Sequence, residues 1–138
     1  LDHRLRIKVV AGVFIEDGQI LLFKKRPGLS NAGLWEFPGG KIEEHETPPE
    51  ALKREIAEEL GIQVEVHEHI RDSFFAKANK VIQLMAYRVQ LIDGQIQLKD
   101  HDAHRWFSFH EVKSKDLAPA DIPIFEHLRD QISGAGGG

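Results

Sequence analysis

The sequence predicts an α/β domain in which a mixed β-sheet is sandwiched between helices. Three observations predict it. Apolar, β-branched segments and amphipathic helical segments follow one another in the order β-β-α-β-β-β-α. The first helical segment is bracketed by a capping box and a glycine stop. The stretch 81–91 is apolar on both faces, as a strand in the middle of a sheet is. The chain has 138 residues with no repeat and no linker, so a single domain is expected over 1–133. The glycine-rich tail at 134–138 is expected to stay unpacked.

Residues 7–15 are mostly apolar and β-branched; Asp17-Gly18 turns the chain and 20–23 forms the second strand of a hairpin. A basic loop, Lys24-Lys25-Arg26-Pro27-Gly28, ends it, and Pro38-Gly39-Gly40 marks a second loop. Thr47-Pro48-Pro49-Glu50 opens a helix. Threonine caps, proline suits the first turn, and Glu50 closes the capping box. The helix runs to Leu60, where Gly61 stops it. Residues 64–75 and 81–91 read as strands, Asp93-Gly94 as a turn, and 105–109 as a short strand. Asp121-Ile122-Pro123 opens the last helix, whose Ile124, Phe125, Leu128 and Ile132 share an apolar side.

Composition narrows the function. With 41% hydrophobic and 29% charged residues the chain reads as an ordinary globular domain. The lack of cysteine excludes disulfides and thiolate metal sites. No apolar run approaches a membrane span and no secretory signal is visible, so no membrane partner and a cytoplasmic location are expected. A net charge of −4 argues against a nucleic acid polymer as partner, since that needs a basic face. It leaves room for a small phosphate substrate if metal ions neutralise the acidity. The eight histidines show no ligand spacing and are read as ordinary polar residues.

At about 100° per residue, Glu55, Glu58 and Glu59 fall on one face of the first helix, Leu52, Ile56 and Leu60 on another, and Glu50, Lys53 and Ala57 on a third. One face is acidic, one packs on the sheet and one is wet. Carboxylates at this spacing repel by a few tenths of a kcal/mol per pair. Alone, the triplet reads first as a solvated acidic face. It is also the oxygen-rich array that hard cations such as Mg²⁺ or Mn²⁺ require.

The wider spacing decides. Five residues after Gly40 comes Glu46, and seven more lead to Arg54-Glu55-Ile56-Ala57-Glu58-Glu59-Leu60-Gly61-Ile62. This resembles the complete Nudix box, G-x5-E-x7-R-E-U-x-E-E-x-G-U, with U a bulky aliphatic. Agreement at the seven non-aliphatic positions would arise by chance at one starting point about once in a hundred million. The stretch Trp35-Glu36-Phe37-Pro38-Gly39-Gly40-Lys41-Ile42-Glu43 is similar to the MutT-like branch, and residues 81–89 and 118–123 also resemble the CTP pyrophosphohydrolase branch.

The resemblance implies the Nudix fold, an α/β/α sandwich, and a Mg²⁺-dependent (or Mn²⁺-dependent) hydrolase that splits a nucleoside triphosphate into monophosphate and pyrophosphate. By position, Glu55, Glu58 and Glu59 are the implied metal-binding carboxylates, joined by the carbonyl of Gly39. Arg54 is the implied orienting arginine, with Glu46 its partner. Lys25, Glu36 and Lys41 match substrate-binding positions, the lysines beside phosphates. Asp100-His101, six residues before Trp106, resembles an E-H-x4-W pattern whose acid binds metal or acts as base; here aspartate replaces glutamate, and Asp102 stands two residues on. Asp121 in Leu117-Ala118-Pro119-Ala120-Asp121-Ile122-Pro123 occupies a base-contacting position and is also expected to cap the last helix. Phe74 and Phe75 are assigned first to core packing, with stacking on a base as the alternative. The general base is a box glutamate or Asp100, and attack at the α or the β phosphorus and the number of metal ions stay open. For substrate, 8-oxo-dGTP stands first and CTP, dCTP or 5-methyl-dCTP second, in a role of nucleotide-pool sanitation. ADP-ribose or a nucleotide sugar is the enzymatic alternative, and a non-catalytic base-recognition module the other. A monomer is expected, with a homodimer as the alternative.

Overall fold

The computed structural model describes residues 5–136. The elements are β1 (Leu5–Glu16), β2 (Gln19–Lys25), β3 (Trp35–Glu36), β4 (Gly39–Lys41), α1 (Pro48–Leu60), β5 (Gln63–Lys77), β6 (Lys80–Asp93), β7 (His101–Ser108) and α2 (Ile122–Gly136). Short 3-10 turns at Phe109–Glu111, Ser114–Asp116 and Pro119–Asp121 link β7 to α2. Positions 1–4 and 137–138 lie outside the described residues, the latter pair being the end of the expected glycine-rich tail.

The seven strands form a mixed sheet in the order β3-β2-β1-β6-β5, with β4 paired to β1 and β7 to β2. Strand β1 is the hub. It runs parallel to β6 from Leu5 to Phe14, pairs antiparallel with β4 at Val9–Ala11, and turns into β2 through Asp17 and Gly18. Both turn residues have positive φ (50° and 74°), the backbone twist that a two-residue hairpin needs.

Alternation along β1 and β2 feeds two cores, one on each face of the sheet. Ala11, Val13, Ile20 and Leu22 join Ile124, Phe125 and Leu128 of α2. Val10, Phe14, Leu21 and Phe23 join Ala51, Leu52, Ile56 and Leu60 of α1. The result is the α/β/α sandwich, with the apolar stripe of α1 where the helical period puts it.

The differences from expectation are local. Strands β3 and β4 are too short to show a period, and exist because β2 and β1 offer them unpaired backbone. Pro38-Gly39-Gly40 is therefore not wholly loop, since Gly39 and Gly40 belong to β4. Strand β7 begins at His101, well before the expected 105, because it is pinned against β2 along its length. Ile132 is 42% exposed, so the last turns of α2 leave the core. Phe74 is 58% exposed and Phe75 is half-buried, so neither serves the core.

Candidate active site

The segment 39–60 is built as loop, capped helix and stop. Thr47 accepts from the Glu50 N–H, Glu50 accepts from the Thr47 N–H, and Gly61 takes the left-handed conformation (φ 69°) that ends α1. Gly39 lies so close to β1 that a Cβ there would collide with the Val10 carbonyl oxygen. A Cβ on Gly40 would occupy the place of the Glu55 carboxylate. These two glycines let the acidic face of α1 close down on β4.

Arg54 organises that face. Its Nε and Nη2 clamp Glu46 at 2.7 and 2.9 Å, Nη1 donates to Glu55 at 3.0 Å and to Glu58 at 3.3 Å, and Nη2 also donates to the Lys41 carbonyl at 3.1 Å. The bidentate grip holds the Glu46 carboxyl below its ordinary range, first through the Arg54 hydrogen bonds and then through the Glu43 N–H. Glu46 and Arg54 thus pair as the family resemblance implied.

Glu59 differs from its neighbours. Its side chain is 12% exposed, against 62% for Glu58. Burial pushes its carboxyl up to about 7; nearby His101 opposes the rise, and Glu36 adds to it. Its Oε1 is buried without a hydrogen-bond partner. Among the described residues no three carboxylate or imidazole groups already converge as a ligand set, because Glu55 and Glu58 are turned onto Arg54. The donor set nevertheless suits a hard divalent cation. It is all oxygen, it is anionic, and a buried carboxylate oxygen stands free in it.

Glu59 and Gly39 also line a cavity of about 350 Å³, and so do Lys25, Glu36, Phe37, Phe75, Lys77 and the segment Ala118–Asp121. That segment is stitched in place. The Ala118 N–H donates to the Trp35 carbonyl at 2.8 Å, and Ser73 Oγ donates to the Ala120 carbonyl at 2.8 Å. Asp121 is not the helix cap expected of it. It sits inside a 3-10 turn, and its Oδ2 accepts from the Phe37 N–H at 3.1 Å, because that buried donor has no strand partner. Burial first, and then the charge of Glu36, raise the Asp121 carboxyl well above its ordinary range.

Of the residues singled out from sequence, Lys25, Glu36, Gly39, Glu59 and Asp121 share the cavity wall. Glu55 stands beside it on Arg54, while Glu58 and Lys41 are exposed and outside the wall. Asp100 is half-buried near Glu59, whose carboxyl its charge helps raise, and its carbonyl accepts from the Arg26 N–H. Asp102 is exposed.

Phe75, for which stacking on a base is the alternative to core packing, lines the cavity, as β5 carries it beyond the core. Sequence reasoning missed one residue. His101 is buried, with Nε2 2.8 Å from Glu36 Oε2 and Nδ1 4.0 Å from Glu59 Oε1. Its place after Asp100 was the available signal, but only the acid of that pair was weighed.

Comparison with known proteins agrees with this geometry. A family model described as the NUDIX domain matches residues 6–128. The chain is 42% identical over 120 residues to a CTP pyrophosphohydrolase of Escherichia coli, covering 87% of this chain and 89% of that one. It is 32% identical over 133 residues to an 8-oxo-dGTP diphosphatase of Haemophilus influenzae, covering 95% and 96%. The solution structure of the E. coli ORF135 protein superposes with a TM-score of 0.84 at 38% identity, covering 97% of this chain and 96% of that one.

Proposed function

The chain belongs to the Nudix family and is a Nudix pyrophosphohydrolase; from that premise we propose that it splits a nucleoside triphosphate into monophosphate and pyrophosphate with the help of Mg²⁺. The observation that carries the reading is the shared cavity: one wall is the Glu59 side of α1, and another is the Asp121 segment. A nucleotide spanning the two would meet hydrogen-bonding groups at its base and acidic residues at its phosphates.

Cytosine nucleotides are the preferred substrates in this reading, with 8-oxo-dGTP second. The order expected from sequence is reversed because the relative named as a CTP pyrophosphohydrolase is more similar than the one named as an 8-oxo-dGTP diphosphatase. Asp121 lines the cavity with its Oδ2 on the Phe37 N–H, so its Oδ1 is the oxygen that would accept from a base amino group such as that of cytosine.

Glu55, Glu58 and Glu59 would hold the cation, with the Gly39 carbonyl beside them. When bound, the cation supplies charge neutralisation for the phosphate oxygens and Lewis acidity. The protein's own contributions are separate. Arg54 holds the Glu55 and Glu58 carboxylates on one face of α1, Lys25 and Lys41 offer positive charge to the phosphate chain, and Phe75 gives the nucleoside an apolar wall. The attacking water's proton passes to a carboxylate oxygen of this cluster.

A panel of NTPs, dNTPs, 8-oxo-dGTP, 5-methyl-dCTP, ADP-ribose and nucleotide sugars, ranked by kcat/KM with Mg²⁺ and repeated with EDTA, tests the reading. CTP or dCTP should lead, and EDTA should abolish turnover. If ADP-ribose led, the triphosphate assignment would fall while family membership stood. Undiminished turnover in EDTA would remove the metal role.

A further inference from the structure

His101 takes no part in the cavity wall, yet it touches or faces two of the wall's carboxylates. Its side chain has no exposed surface. Nε2–H donates to Glu36 Oε2 at 2.8 Å, and Lys25 Nζ reaches the same oxygen at 3.4 Å. Phe23 packs against the imidazole with ring centroids 5.4 Å apart, which limits its tilt.

A β-bulge puts the ring there. Along β2 and β7, Phe23 pairs with His104 and Lys24 with Ala103, but Lys25 pairs with His101. Asp102 is therefore the extra residue. If Asp102 paired with Lys25 in strict alternation, His101 would point to the α2 face of the sheet; the bulge reverses it onto the α1 face, beside Phe23 and beneath Glu59. A buried polar ring is costly to place unless its hydrogen bond is made, and the bond it makes is to Glu36.

We propose that His101 is a positioning residue for nucleotide binding, whose Nε2–H holds the Glu36 carboxylate in the cavity wall. Both donors meet Glu36 at Oε2, so the carboxylate is aimed before the nucleotide arrives, and its other oxygen is left for the ligand. The role deepens the nucleotide-site reading and rests on it. It concerns affinity rather than the hydrolytic step, because His101 acts through Glu36 and not on the reacting atoms.

The test compares His101→Leu, which fills similar space without a donor, with His101→Gln, whose amide N–H can stand where Nε2–H stood. Binding of CMP and of 8-oxo-dGMP without metal is measured by calorimetry, KM and kcat are measured on the best triphosphate, and melting curves check folding. His101→Leu should weaken mononucleotide binding and raise KM about tenfold, as expected for loss of a charge-assisted hydrogen bond, with kcat within about threefold. His101→Gln should return both to within about threefold of wild type. On a Glu36→Ala background, His101→Leu should change binding by less than about twofold. If His101→Leu does not fold, His101→Asn replaces it, because its shorter amide cannot reach Glu36. Equal losses in the Leu and Gln variants, a full His101→Leu effect without Glu36, or a fall in kcat at unchanged KM would each overturn the proposal. Wild-type protein that binds CMP but hydrolyses no triphosphate would refute the hydrolytic reading, and a Glu36-dependent His101 effect on CMP binding would still support the positioning role. Wild-type protein that binds neither mononucleotide would refute both.

Discussion

Replacing Glu59 by glutamine separates the electrostatic cost of its buried carboxylate from its shape. Lifting a carboxyl from 4.5 to about 7 by burial corresponds to about 3 kcal/mol against the ionised folded state. The sign follows from where the proton sits. The folded state favours the neutral acid, so this group's contribution is fully present below pH 4.5 and is lost as pH rises through 7. Glutamine never ionises. In EDTA at pH 8, Glu59→Gln should therefore be more stable than wild type by up to about 3 kcal/mol, or roughly 10 °C in Tm, with the gap closing near pH 4. Added Mg²⁺ should narrow the gap at pH 8 by stabilising the wild type more, while the variant's turnover stays low. Urea unfolding at a series of pH values, followed by circular dichroism, measures it. A gap that does not change with pH, or a wild type more stable than the variant at pH 8 in EDTA, would refute a buried, cation-seeking Glu59.

Glu58→Gln should cut turnover by several orders of magnitude yet change stability by no more than about 0.5 kcal/mol, since its contact with Arg54 is an exposed ion pair. Steady-state kinetics and denaturant melts check the two halves separately. Asp121→Ala should alter the ranking of bases more than the rate on the best one, and should cost about 1–3 kcal/mol by orphaning the Phe37 N–H. An unchanged order of preference would restrict Asp121 to a structural role. Gly39→Ala should destabilise by about 3 kcal/mol or more, because its Cβ meets the β1 backbone rather than a side chain that can move. A near-native Tm in that variant would show that β4 can shift.

The sequence by itself determined the α/β architecture, the capped helix and the acidic face of that helix. These depend on local periods and caps, which a linear pattern records. The apolar stripe Leu52, Ile56 and Leu60 lies on the sheet, as the helical period implied, and Arg54 grips Glu46 across eight residues, as the family resemblance implied. Tertiary structure alone decided which carboxylate is buried. Glu58 and Glu59 are adjacent in the chain, but only Glu59 turns under β7 and the cavity wall, so desolvation reaches one and not the other. Tertiary structure also turned Asp121 from a cap into the acceptor for the Phe37 N–H, 84 residues away. It made His101 part of the site through one extra residue in β7. A bulge reverses the face of every residue beyond it, and its position depends on how two distant strands align, which no local pattern along the chain encodes.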